Sequence, residues 1–383
     1  MTGSAGSKGI ALTERQRLAW LRLIRSDNVG PSTFRELINQ FGTAEMALNM
    51  LPELSQRGGA TRSIRIATHD EAEAELEFAR RFGARFVGIG EPDYPTALRQ
   101  IEAAPPLLAV KGDGAVCHAP AIGMVGSRNC SISGAKFAAM LAHDIGRAGY
   151  TIVSGLARGI DAAAHRASLA TGTIAAMAGG LDQPYPPENI DLMHEIVARG
   201  GLLVSEMPFG WEPRARDFPR RNRLIAGIGL GLVVVEATER SGSLITARYA
   251  GNFGRQVFAV PGSPLDPRSH GTNGLLKDGA QIVTEAADVI RSMAPVSQID
   301  LFTDPKLTEP PREEEKPLGL PPSDSERDRI VDAMGPTPVE IDDIMRHTGC
   351  SAQAVYLVLL ELDLAGRLHR HPGGLVSLDL THG

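Results

Sequence analysis

From residue 119 the chain alternates short apolar runs with single amphipathic stretches, and this rhythm limits the fold more than any other feature. AIGMVGSR is an apolar run ending in a glycine turn, and ISGAKFAAMLAHDIGRAG after it carries the 3.6-residue period of a helix. YTIVSG, TIAAMAGG, LLVSE, GLVVVEA and QVFAVPG repeat the pattern, each divided from the next by one helical segment. Strands joined by single helices run parallel, through right-handed crossovers. The runs are apolar throughout, as strands covered on both faces require. The expected class is α/β, with a doubly wound, Rossmann-like parallel sheet as its core.

The flanks have a different grain. Residues 10–85 read as helices: Thr13 stands as an N-cap before Leu18, Leu21 and Ile24, and Gly30–Pro31 turns into a second helix with Ser32 as its cap. Helix, glycine turn, helix is the shape of a SAM or helix-hairpin-helix unit, whose turn aims N–H groups at a phosphate. Small helical domains use the same turn for packing alone, and the short VGP favours packing. A strand at 85–89 and a proline-broken connector with a strand at LLAVKG follow. Residues 303–323 hold six prolines and an acidic run, the composition of a linker. Beyond it, three helices and a hairpin read as a winged helix. The expected division is 1–88 helical domain, 89–302 Rossmann-like core, 303–323 linker and 324–383 winged-helix domain. The presumed recognition helix, SAQAVYLVLLELDLAG, has no Lys or Arg, so a protein-contact or accessory role is preferred over groove reading; the wing offers Arg367, His369, Arg370 and His371.

Five arginines crowd residues 214–223 (Arg214, Arg216, Arg220, Arg221, Arg223) on a chain of net charge −6. A dense basic cluster on an acidic protein suits a polyanion held at one focused patch, not coating by bulk charge. Phe218 adds a ring on which an unpaired base can stack. Cys117, Cys130 and Cys350 are far apart and lack CxxC spacing, which argues against disulfides or zinc and fits a reducing cytoplasm. No run has signal-peptide character or the ~20 apolar residues of a membrane span.

In an open parallel sheet, ligands bind beyond the carboxyl ends of the strands. Four stretches fall there: Gly126, Ser127 and Arg128; Ser154, Gly155 and Arg158; the arginine cluster; and Ser241, Gly242 and Ser243 opening a helix. Each has a bland reading, as turn glycines, a helix cap, Arg158 paired with Asp161 or another surface acid, or Asn222 capping its own helix. Four anion-friendly loops on one rim favour a phosphate-binding groove. Catalytic patterns are poor: there is no GxxxxGK[ST], no GxGxxG at the first strand and no HExxH. Glu206 and Glu236 end strands at the rim, and pairing with the rim arginines is preferred over acid–base work.

VGSR (125–128), SGLARGIDAAAH (154–165), YPPEN (185–189), SEMP (205–208), FPRRNRLIAG (218–227), VVEA (234–237), SGSLITA (241–247), FAVPG (258–262) and GTNGLLKDGA (271–280) together resemble the DNA-processing protein A family, DprA or Smf. The resemblance covers about residues 95–293, and the three-part arrangement is similar too. It implies a non-enzymatic, cofactor-free protein of natural transformation, a homodimer that protects incoming single-stranded DNA and loads the RecA recombinase. It also implies a groove built from Gly126, Ser127, Arg128, Ser154, Gly155, Arg158, Phe218, Arg220, Arg221, Asn222 and Arg223, with Ser241, Ser243 and Thr246 nearby. Asp217 stands just before FPRRNR, where relatives often carry a basic residue. Two rivals are a nucleotide monophosphate phosphoribohydrolase-like enzyme using Glu206 or Glu236, and a small-molecule sensor using the winged helix as a repressor.

Overall fold

The computed structural model describes residues 11–298, 322–371 and 373–379, with backbone alone for 295–298. Most of the expected linker lies outside these residues. The described residues form two compact units: 75–298 with Ala11, and 12–74 together with 322–379.

The chain opens with α1 (Glu14–Ile24), α2 (Pro31–Phe41), α3 (Ala44–Arg57) and α4 (His69–Arg81). Thr13 caps α1 as expected, in a reciprocal box with Gln16. The start of α2 differs from expectation: Gly30 is the N-cap and Pro31 the first helical residue, so Ser32 lies inside the helix. Proline fits there because a first-turn N–H has no intrahelical acceptor to lose.

Next come β1 (Arg85–Gly88), β2 (Leu107–Gly112), β3 (Ala121–Gly126), α5 (Ile132–Arg147), β4 (Thr151–Ser154), α6 (Ile160–Ser168), β5 (Thr173–Ala176), α7 (Ile190–Ala198) and β6 (Leu202–Ser205). They are followed by α8 (Asp217–Ile228), β7 (Gly231–Val235), α9 (Gly242–Asn252), β8 (Gln256–Ala259), α10 (His270–Lys277), β9 (Gln281–Ile282) and α11 (Ala286–Gln298). The strands form one nine-stranded sheet, β1-β2-β6-β5-β4-β3-β7-β8-β9. It is parallel from β6 to β9, while β2 pairs antiparallel with β6, and β1 with β2.

The chain leaves β3 toward β4, β5 and β6, then returns to lay β7 on the other side of β3. Crossovers thus depart in opposite directions at β3, and a crevice opens at the carboxyl ends of β4, β3 and β7. One face is covered by Leu224 and Ile225 of α8 and Ala247 and Ala250 of α9. The other is covered by Leu141 and Ile145 of α5, Ile160 and Ala164 of α6, and Val289 and Met293 of α11. Both faces are therefore apolar, each fully buried aliphatic chain contributing about 1.5–3 kcal/mol.

The chain ends in α12 (Asp324–Asp332), β10 (Val339–Glu340), α13 (Ile341–Thr348), α14 (Ala352–Leu364), β11 (Leu368–His371) and β12 (Leu375–Leu378). The three strands form an antiparallel sheet in the order β10-β12-β11, completing a winged helix. Val355, Val358, Leu359 and Leu362 of α14 fill the core of this module. The same helix packs on α2 and α3. There the Asn28 amide donates to Leu364 O at 2.9 Å, and the Thr33 hydroxyl to Asp363 at 2.8 Å. Even Glu361 is fully buried, paired with Arg327 at 3.0 Å. From Leu357 to Leu364 the helix is buried or half-buried, which leaves no room there for basic side chains, while Ala352, Gln353 and Tyr356 near its start are exposed.

Candidate nucleic-acid interface

The crevice at the switch point is a cleft of about 460 Å³. From β3 it receives Gly126, Ser127 and Arg128; from α6, Asp161; from α8, Phe218, Arg221 and Asn222; from the start of α9, Ser241, Ser243 and Thr246. Gly126 has a packing reason beside any ligand reason. A Cβ there would sit 1.9 Å from Val235 O and 2.6 Å from Ile160, so only glycine lets β7 and α6 close on β3. Arg128 is exposed, with its guanidinium 5.1 Å from the Phe218 ring centroid. Among the described residues no carboxylate lies within 4.0 Å of it.

Phe218 is half-buried. The Tyr185 ring meets it edge-on at 5.4 Å, and the Arg221 guanidinium stands 6.0 Å from its centroid. A smaller crevice continues past this ring, lined by Gly155, Arg158, Tyr185 and Pro186. Arg158 is exposed there and pairs loosely at 3.7 Å with Glu188, a surface acid other than Asp161.

The arginine cluster divides into separate jobs. Arg221 is buried and donates to the carbonyls of Gly155, at 2.5 Å, and Ala176, tying together the ends of β4 and β5. Burial pulls its pKa down to about 10, although Asp161 nearby acts the other way. Helical spacing of three residues puts Arg220 and Arg223 on one face of α8, and both reach Glu206. Arg223 is buried and also donates to Ala103 O. Neither lines the cleft. Ser154 does not line it either; its fully buried hydroxyl donates to Met124 O at 2.6 Å, stitching β4 to β3. Asn222 donates to Gly242 O at 3.2 Å, joining α8 to the start of α9 rather than capping its own helix. Ser241 is the N-cap of α9, and its hydroxyl lies 2.6 Å from that of Ser243.

The rim carboxylates differ from one another. Glu206 pairs with arginines, as expected. Glu236 does not: its carboxylate accepts from the Ser131 hydroxyl and, at 2.8 Å, from the Ser131 N–H, fixing the start of α5. The cause is geometric: Glu236 follows β7 with a left-handed backbone, φ 52°, that carries it toward α5. Leu156 after β4 is also left-handed, φ 57°, so two rim loops hold a strained conformation of the kind that gathers at functional sites. Asp161 lines the cleft, with its Oδ2 accepting from the N–H groups of Gly155 and Ala157. Burial pushes this carboxyl pKa up, against the opposing pull of Arg221. His165 lies behind it, fully buried. Burial and then Arg221 lower its pKa to about 3. The neutral ring accepts the Leu156 N–H at Nε2, which leaves Nδ1–H to donate to Thr173 Oγ1 at 2.7 Å.

Sequence reasoning missed Asp161, Tyr185 and Arg268 as lining residues. Arg268 lies beyond β8, and extending the carboxyl-end rule to that strand would have found it. Tyr185 sat within a quoted motif without a role.

The fold and the cleft define a Rossmann-like α/β protein with a guanidinium-, hydroxyl- and ring-lined groove at its switch point, combined with an N-terminal helical module and a winged helix. Residues 85–294 match the family described as DNA recombination-mediator protein A. Residues 14–77 match the DprA-like N-terminal HHH domain, and 314–374 the DprA winged helix domain. The chain belongs to this DprA/Smf family. It is 31% identical to protein Smf of Synechocystis sp., over 94% of this chain and 98% of that one. It resembles the X-ray structure of DNA processing protein A from Streptococcus pneumoniae with a TM-score of 0.58 at 34% identity, covering 74% of this chain and 98% of that one. A second structure, from Helicobacter pylori, gives a TM-score of 0.51 at 27% identity over 56% of this chain and 96% of that one. The work on that protein concerns its single-stranded DNA binding mode.

Proposed function

We propose that this protein binds single-stranded DNA along the switch-point cleft without acting on it chemically. The observation that carries the reading is Arg128: an exposed guanidinium with no carboxylate partner among the described residues, standing over a half-buried aromatic ring in a cleft at the carboxyl ends of the strands. Phosphates rest against Arg128, the Ser241 and Ser243 hydroxyls and the positive end of α9, while a base stacks at Phe218. Arg221 shapes the floor from within. Such a groove grips backbone and ring faces rather than base edges, so binding is salt-sensitive and nearly sequence-blind. Support comes also from the H. pylori relative, whose work is on single-stranded DNA.

Family membership extends the proposal to protection of incoming single strands in natural transformation, delivery to the RecA recombinase, and action as a homodimer. No helix among the described residues is long and apolar enough to cross a membrane. The phosphoribohydrolase reading drew on Glu206 and Glu236, and both are engaged elsewhere, by two arginines and by Ser131.

Anisotropy titrations with labelled single strands at several salt concentrations test the groove. Wild type should bind with a steep salt dependence and Arg128→Ala should flatten it. Equal binding by both proteins would refute this use of the cleft. Release of free base from nucleoside monophosphates would favour the enzyme instead. Sizing, and RecA filament formation on single strands with and without the protein, test the assembly and delivery steps.

A further inference from the structure

Beside the cleft, the loop between β6 and α8 carries a feature that the groove does not use. Trp211 is half-buried, and the Arg214 guanidinium lies 4.7 Å from its ring. Asp217, itself buried, fixes both: its Oδ2 accepts the indole N–H at 2.9 Å and the Arg214 backbone N–H at 2.8 Å. Asp217 immediately precedes Phe218 at the start of α8, so the loop that holds Trp211 runs directly into the ring of the cleft. Through these two bonds Asp217 ties the Trp211 ring and the Arg214 backbone together. Arg214 and Arg216 are exposed, and neither has a carboxylate within 4.0 Å among the described residues. The loop also docks on the turn before Tyr185, where the Gly180 N–H donates to Trp211 O at 3.0 Å. Tyr185, 48% exposed, then meets Phe218. Three rings from adjacent segments are thus interleaved with guanidinium groups, the composition that single-stranded polynucleotides recognise through stacking and phosphate contact.

We infer that Trp211 and Arg214 form a second stacking platform, which takes a nucleotide of the same single strand after it leaves the cleft past Phe218 and Tyr185. This rests on the proposed use of the cleft and adds to its length. A base slides onto the exposed part of the indole, and Arg214 and Arg216 meet the phosphates beside it. The platform is preorganised, because Asp217 already holds the ring and the Arg214 backbone in place.

The chain supplies its own reporter. It has two tryptophans, and Trp20 is fully buried. Titration with oligo(dT) of roughly 6 and roughly 20 nucleotides, lengths bracketing common single-strand site sizes, separates the cleft from the platform. The long strand should quench tryptophan emission strongly and the short one weakly. Trp211→Leu should weaken long-strand binding about tenfold and leave short-strand binding unchanged. Trp211→Phe, which keeps a ring but loses the indole N–H, should recover most of the loss. Arg128→Ala should weaken both lengths. If Trp211→Leu binds the long strand as wild type does, or if binding leaves emission unchanged, the platform is overturned while the cleft stands. If neither length binds wild type, both fall together.

Discussion

Arg128 at the cleft and Arg370 at the wing carry the same side chain and meet opposite fates. Arg128 is exposed, with a ring beneath it and no acid beside it. Arg370 donates to both oxygens of Glu36, at 2.8 and 2.7 Å, and to Asp363 at 3.0 Å. The other wing groups are engaged too: Arg367 on Gly58 O at 3.1 Å, His369 near Asp379 at 3.2 Å and His371 near Ser377 at 2.8 Å. Basic residues in a DNA-binding fold do not by themselves make a DNA site; what matters is whether the fold supplies its own acids. At the wing, Glu36 of α2 and Asp363 of α14 already answer Arg370, and the other basic groups have partners of their own.

The contrast between paired and unpaired arginines is tested most directly inside the cleft. Arg221→Ala should lower the stability of the sheet unit by about 3 kcal/mol in urea denaturation, since two buried carbonyls lose their charged donor. Undiminished stability with DNA binding lost would return Arg221 to the ligand side. The second effect is a pH dependence. His165 has a folded pKa of about 3, below its unfolded value, so the unfolded chain binds the extra proton between about pH 6.5 and 3 and stability falls as pH drops through that window. The stability gap between wild type and His165→Gln should therefore narrow by roughly 2 kcal/mol from pH 6.5 to pH 5. A constant gap would show that the ring takes up its proton while folded. Third, Glu36→Ala leaves Arg370 with Asp363 alone and should destabilise the helical and winged-helix unit by about 2 kcal/mol, without change in single-strand affinity. Fourth, Arg128→Ala should weaken single-strand binding about tenfold, near 1.4 kcal/mol, with unchanged urea midpoint. Smallest of all, Arg367→Ala should leave affinity for single strands and duplexes untouched; a clear loss would make the wing a DNA contact after all.

The parallel sheet was legible because apolar runs and single helices leave little topological choice. Caps were legible where a side chain and a short-range donor decide them, as at Thr13 and Ser241. The two antiparallel strands were visible as strands but not as members of the sheet, since edge pairing is a long-range choice that local pattern does not encode. At the site, the loops were found and the division of labour was not. Five arginines in ten residues look alike in sequence; helical phase and distant acceptors such as Ala103 O, Ala176 O and Glu206 decide which turn inward. Glu236 was misplaced for the same reason, since its partner Ser131 lies 105 residues away.

The bond from Asn28 to Leu364 spans 336 residues. The packing of α2 and α3 is thus complete only once α14 has been made, and the sheet unit is synthesised in the interval. Synthesis is vectorial, so the faces of α2 and α3 that α14 covers stay without that partner while the sheet unit is made. A chain cut short before α14 would leave α2 and α3 with the apolar face that this helix covers open to solvent.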